Sequence, residues 1–187
     1  MRAIAFLSLL VFAGYANAET TLEVGDDAPK FEATDDTGMT WKSADHVGKK
    51  IIVLYFYPAD MTGGCTAQAC AYRDKMETFT DAGVEVVGVS GDSAKNHQVF
   101  KKAHDLNFTL LADTDGEVAK KFGVPVALGE KTVKQTIKGT EMLLLRTATT
   151  KRWTFVIDRD GKIIYKDAQV NAKQDPEKIE KLLKSLS

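Results

Sequence analysis

The chain has 187 residues, 25 basic and 26 acidic, and is 44% hydrophobic with only two cysteines. A charge balance this close to zero argues against nucleic acid or an anionic membrane as the main partner. The length fits one domain with enough core to fold without staples, so stability does not require a disulfide.

Residues 1–18 read as a secretory signal peptide. Arg2 supplies a positive start, AIAFLSLLVFAGY an apolar centre and Ala16-Asn17-Ala18 a small-x-small cleavage site. The competing reading is a membrane anchor, but the run is shorter than the about twenty apolar residues that span a bilayer. Cleavage leaves a single domain, 19–187, with no stable membrane association. Export exposes it to an oxidising compartment, where a cysteine pair is usually a structural bridge. Bacterial periplasm and eukaryotic secretion both fit such a segment, and the short n-region and the lack of further cysteines favour the periplasm.

Short strand-like pieces at Phe31–Thr34 and Met39–Lys42, joined by Asp36-Thr37-Gly38, predict an N-terminal β-hairpin. IIVLYFY, Ile51–Tyr57, predicts a central strand covered on both faces. Cys65, Ala69, Tyr72, Met76 and Phe79 then recur at helical spacing up to Gly83, which predicts one helix with Cys65 on its buried seam. VEVVGVS predicts a second covered strand. A helix follows, with Ser93 as N-cap and Val99, Phe100, Ala103 and Leu106 facing inward. FTLLAD reads as a short strand and GEVAKKFG as a short helix. Val126–Lys151 shows no clear period and is read as loop with strand-like parts. RWTFVIDRDGKIIYK predicts an antiparallel hairpin turning at Asp158-Arg159-Asp160-Gly161. A final helix is capped by Asp175, with Pro176 in its first turn and Ile179, Leu182, Leu183 and Leu186 as its stripe. The sum is an α/β domain, a mixed sheet flanked by helices, compatible with a thioredoxin-like core.

The two cysteines, Cys65 and Cys70, are five positions apart in YFYPADMTGGCTAQAC. In the first turn of a helix the N–H groups are unpaired and the dipole is positive, which favours thiolate and makes Cys65 a candidate nucleophile. Helix geometry puts residues five apart at a Cα separation of about 8.7 Å. A disulfide tolerates at most about 7 Å. Within a helix the pair can join only after local unwinding, which suits a switch better than a staple. In a loop the same spacing bridges without difficulty.

Pro58-Ala59-Asp60-Met61-Thr62-Gly63-Gly64-Cys65, of the form P-x-x-x-T-x-x-C after a covered strand, resembles the peroxiredoxins of the alkyl hydroperoxide reductase/thiol-specific antioxidant family. The cysteine five positions on narrows the likeness to the bacterioferritin comigratory protein, or PrxQ, type. VVGVSGDS, NFTLLADTDGEVAKKFGV and RWTFVIDRDGKI extend it over most of the chain from about Leu22 onward. The resemblance implies a thioredoxin-like fold and a thiol peroxidase for hydrogen peroxide and organic hydroperoxides. It makes Cys65 the peroxidatic cysteine, which becomes a sulfenic acid, and Cys70 the resolving cysteine that closes an intramolecular disulfide. It implies that Thr62 places its hydroxyl at Cys65 and that Pro58 walls the pocket. Arg152, and the backbone N–H groups of Gly64 and Cys65, would stabilise the developing charge. An external dithiol, thioredoxin-like or glutaredoxin-like, would recycle the enzyme without metal or cofactor, as monomer or weak homodimer.

Taken singly, these residues have plainer readings: Thr62 as an N-cap, Pro58 as a loop residue, Arg152 as a charge before a strand. Three features depart from the family pattern. Gly63 stands where proline is common, Trp153 where a small residue is common, and Val126–Lys151 matches poorly. His46, His97 and His104 lack metal-ligand spacing and are expected at the surface or at caps. Lys49-Lys50, Lys101-Lys102 and Lys120-Lys121 are expected on solvated faces. The alternative function is an exported thiol-disulfide oxidoreductase acting on protein disulfides, although the C-x-x-C of that chemistry is missing.

Overall fold

The computed structural model describes residues 21–137 and 139–185. The expected signal peptide, residues 1–18, and Leu186 lie outside the described residues. In chain order the elements are β1 (Glu32–Asp35), β2 (Thr40–Lys42), α1 (Ser43–His46), β3 (Ile51–Phe56), α2 (Gly63–Arg73), α3 (Met76–Asp81), β4 (Val84–Ser90) and α4 (Ala94–His104). They continue with β5 (Thr109–Ala112), α5 (Glu117–Lys121), β6 (Val126–Ile137), β7 (Thr140–Thr150), β8 (Trp153–Ile157), β9 (Ile163–Asp167) and α6 (Asp175–Ser185). Seven strands form one mixed sheet in the order β2-β1-β5-β4-β3-β8-β9. β3 pairs parallel with β4 and β4 with β5, whereas β8 lies antiparallel to β3.

The period-two alternation of the strands builds two cores. Ile52, Leu54 and Phe56 join Phe155, Trp41 and Phe122 on one face. Val53, Tyr55 and Tyr57 join Cys65, Ala69, Tyr72 and Phe100 on the other. Burying each such large apolar side chain contributes about 1.5–3 kcal/mol, which is why β3 is apolar at every position. Trp153 packs on the first of these cores, away from the face that carries Cys65, and Lys166 lies over its ring at 5.1 Å.

The single helix expected from Cys65 to Gly83 is two helices. The Lys75 N–H bonds to the Tyr72 carbonyl three residues back, and the Asn107 side chain takes the Arg73 carbonyl, so the chain turns before α3 begins. Both segments still bury the expected seam at Ala69, Tyr72 and Phe79, while Met76 is only half-buried. Asp105 in the left-handed region ends α4, and the buried Leu106 lies just past it.

The stretch read as loop with strand-like parts is almost wholly strand, a separate antiparallel ribbon of β6 and β7. It packs mainly on one side, where Leu144 and Ala148 are buried while Leu143 and Leu145 stay exposed. Gly91 lets it cross closely, because a Cβ there would meet the Ala148 carbonyl oxygen at 2.1 Å. The Asn96 amide holds it by donating to the Leu145 carbonyl at 2.9 Å.

Polar expectations are corrected too. His97 is fully buried, not at the surface, and His46 is half-buried, stacked on Trp41 and bonded to Glu85. Lys101 reaches the buried carboxylate of Asp36 at 2.6 Å instead of standing free in solvent. The carboxylate of Asp175 accepts no bond from the first turn of its own helix, because it points into the protein toward α2 and β8.

Candidate active site

β3 ends at Phe56, and the loop through half-buried Pro58 turns with Met61 in the left-handed region, at a φ of 60°. Thr62 is extended, with φ −89° and ψ 149°, and its carbonyl accepts the first helical bond from Thr66 at 2.8 Å. The N–H groups of Gly63, Gly64 and Cys65 precede that bond and have no partner within the helix, so the positive end of α2 surrounds Cys65. The Cys65 side chain is only 2% exposed.

Pairing of Trp153 with Phe56 sets Arg152 beyond the end of β3, level with this loop. Its Nη2 donates to Cys65 Sγ at 3.1 Å. The same nitrogen stands 3.5 Å from where a Cβ on Gly64 would be. Its Nη1 donates to Gln68 Oε1. The Thr62 hydroxyl donates to the Ala59 carbonyl at 3.1 Å, and it makes no cap bond. Cys70 is half-buried further along α2, and both thiols are free. Because both sit in one continuous helix, a bond between them requires that helix to open.

Behind Arg152, Gln68 Nε2 donates to Asp175 Oδ2 at 2.7 Å, as do the Tyr72 hydroxyl at 2.7 Å and the Thr154 hydroxyl at 2.8 Å. Burial raises the Asp175 pKa from its usual value despite these three donors. Burial, with the Asp175 charge beside it, likewise holds the Tyr72 phenol well above its usual value. On the other flank, the Asp60 carboxylate accepts from the Tyr57 hydroxyl at 2.7 Å and meets His97 Nδ1 at 2.8 Å. The Asp60 N–H donates to Asp92 at 2.9 Å, which fixes the loop to the end of β4. Burial opposes a charge on His97, but the Asp60 charge and hydrogen bond outweigh it and raise the pKa.

The structure thus brings Cys65, Arg152 and Gly64 together, with Thr62 and Pro58 in the adjoining loop and Cys70 apart. Sequence reasoning missed Gln68, Asp175, Asp60 and His97. Gln68 left one signal, a polar residue three positions after Cys65 on the buried seam of the helix.

A mixed sheet that presents a guanidinium-bound cysteine at a helix N-terminus defines a thiol-dependent oxidoreductase with a thioredoxin-like core. The description of the AhpC/TSA family matches residues 24–166. Peroxiredoxin Bcp of Bacillus subtilis is 38% identical over 167 residues, covering 89% of this chain and 98% of that protein. A putative peroxiredoxin of Mycobacterium tuberculosis is 43% identical over 155 residues, covering 82% and 88%. The crystal structure of peroxidoxin BcpB from Mycobacterium tuberculosis superposes with a TM-score of 0.73 at 30% identity, covering 89% of this chain and 99% of that one. The chain belongs to the AhpC/TSA family and is a peroxiredoxin, an oxidoreductase of the thiol peroxidase class.

Proposed function

We propose that Cys65 is the peroxidatic cysteine of a two-cysteine cycle with Cys70 as its resolving partner. The observation that carries this reading is the 3.1 Å contact between Arg152 Nη2 and Cys65 Sγ at the N-terminus of α2. The Cys65 thiolate attacks the terminal oxygen of hydrogen peroxide or a small organic hydroperoxide. The S–O bond forms as the O–O bond breaks, and the departing oxygen takes a proton to leave as water or alcohol. Arg152 and the Gly64 and Cys65 N–H groups stabilise the charge developing on that oxygen. Thr62 rotates its hydroxyl from Ala59 toward the bound peroxide, and Pro58 shields the pocket from water.

The first turns of α2 then open. The Cys70 sulfur attacks the Cys65 sulfenic acid, the S–S bond forms and hydroxide leaves as water. A thioredoxin-like or glutaredoxin-like dithiol reduces the disulfide, giving an antioxidant enzyme that needs no metal or cofactor and works as monomer or weak homodimer. The signal segment carries it to the bacterial periplasm, which obliges the reductant to be exported as well.

A peroxide-consumption assay on the 19–187 protein with a panel of dithiol donors tests this. Turnover with at least one donor is expected, with one disulfide formed per peroxide in its absence. Consumption of protein disulfides but not of peroxide would favour the thiol-disulfide oxidoreductase instead. Cell fractionation with N-terminal sequencing tests export, and a mature chain starting at Glu19 in the periplasm is expected.

A further inference from the structure

Asp175 lies at the start of α6, 107 positions from Gln68, and is completely buried. A carboxamide has one donating and one accepting end, and its orientation is settled by its neighbours. Here the neighbours leave no choice. The Arg152 guanidinium can only donate, so it requires the oxygen of Gln68. Asp175 Oδ2 accepts from three sides and requires the nitrogen. Protonation of the carboxyl on Oδ1, which has no partner, would leave Oδ2 an acceptor and the orientation unchanged.

The guanidinium is consequently held at two points, Nη1 on Gln68 and Nη2 on Cys65, which together with its own side-chain stem fix its plane. The other donors to Oδ2 come from Tyr72 on α2 and Thr154 on β8, the helix that carries Cys65 and the strand that follows Arg152. One buried oxygen therefore ties together the two elements whose spacing sets the distance between sulfur and guanidinium. Fastening α6 alone would not need this arrangement. Lys75 also ties α6 down, through Glu180, without touching Arg152 or Gln68.

We propose that Asp175 is a positioning residue for the peroxidase reaction: it dictates which way the Gln68 carboxamide faces, and through Gln68 it holds Arg152 on Cys65. This rests on the assignment of Cys65 as the peroxidatic cysteine, and the test separates the two claims.

In a Cys70→Ser background, two rates of Cys65 are measured, oxidation by hydrogen peroxide and alkylation by iodoacetamide, the second requiring no peroxide chemistry. Asp175→Leu frees the amide and is expected to slow both rates about tenfold, the scale of one hydrogen bond to a charged group. Gln68→Glu sets two carboxyl groups face to face and is expected to lose at least as much. Adding Asp175→Asn to Gln68→Glu supplies a donor that faces the new carboxylate, and both rates should return to within about threefold of the parent. Lys75→Ala, which loosens α6 alone, should leave both unchanged.

Losses that simply add in the double variant, or an Asp175→Leu protein that reacts like the parent, would overturn the proposal. If Asp175→Leu does not fold, as judged by circular dichroism, the Gln68→Glu pair still decides. If the parent itself meets peroxide no faster than free cysteine, the peroxidase reading fails, while the alkylation rates still test the positioning.

Discussion

The two ends of α2 carry the same functional group in unlike surroundings. At Cys65 the thiol is buried, faces unpaired N–H groups and touches a guanidinium that is itself held by Gln68. Cys70 lies further along the same helix, half-buried and past the unpaired turn. The difference teaches that position along one helix gives identical side chains different surroundings: a donor-lined, guanidinium-bound pocket for Cys65 and an ordinary helical site for Cys70. The proposed cycle divides the labour accordingly, with the oxidation at the fixed Cys65 and Cys70 reaching it once the helix has opened.

The comparison can be broken most severely at its fixed end. Cys65→Ser should abolish peroxide consumption in the coupled assay, whatever Cys70 does. Arg152→Leu, which leaves the sulfur without its guanidinium, should slow the first oxidation about a hundredfold or more, read by stopped-flow mixing, as expected when a preorganised charge donor is removed.

His97→Leu tests the scaffold behind the loop. It leaves the buried Asp60 carboxylate with the Tyr57 hydroxyl but no cationic partner and should cost about 3 kcal/mol of stability in urea melts. The raised pKa of His97 gives this a sign. The stabilisation by charged His97 is complete below its usual value of 6.5 and is lost as pH rises through the raised one, so the gap between parent and variant should shrink with rising pH. His104 shifts the other way, through burial and the nearby Arg73, and it is common to both proteins, so the difference isolates His97.

Gly63→Pro addresses the opening of the helix. Gly63 is the first helical residue, no atom lies within 4 Å of an added Cβ, and the extended Thr62 before it is compatible with a following proline. The variant should gain about 0.4–1 kcal/mol of stability and close the Cys65–Cys70 bond more slowly, measured by the appearance of the oxidised mass after one equivalent of peroxide. Cys70→Ser should change the first oxidation least, within about twofold, while ending recycling by dithiols.

Strands β3, β4, β8 and β9 were legible because they are short apolar runs rich in β-branched and aromatic residues and bounded by turn residues. The ribbon of β6 and β7 was not. It packs mainly through one face, at Leu144 and Ala148, and leaves Leu143 and Leu145 in solvent, so its apolar residues carry no consistent period. The site divides in the same way. Cys65 is picked out by its place at a helix start, whereas Thr62, Pro58 and Arg152 are picked out only through the family resemblance of the motifs that hold them. Asp175 stands before Pro176 at a helix start and reads as an ordinary cap, since its three partners come from α2 and β8. His97 sits on α4 among lysines and reads as surface, because its partner Asp60 lies 37 positions away and reaches it only in the folded chain. Long-range polar pairs of this kind leave no periodic trace in a single sequence.

The most direct measurement mixes reduced Cys70→Ser protein with hydrogen peroxide and traps the product with dimedone. Oxidation many orders of magnitude faster than that of free cysteine, with the adduct confined to Cys65, is what this account predicts. A rate no better than free cysteine, or a Cys65 that gains no adduct, would contradict it.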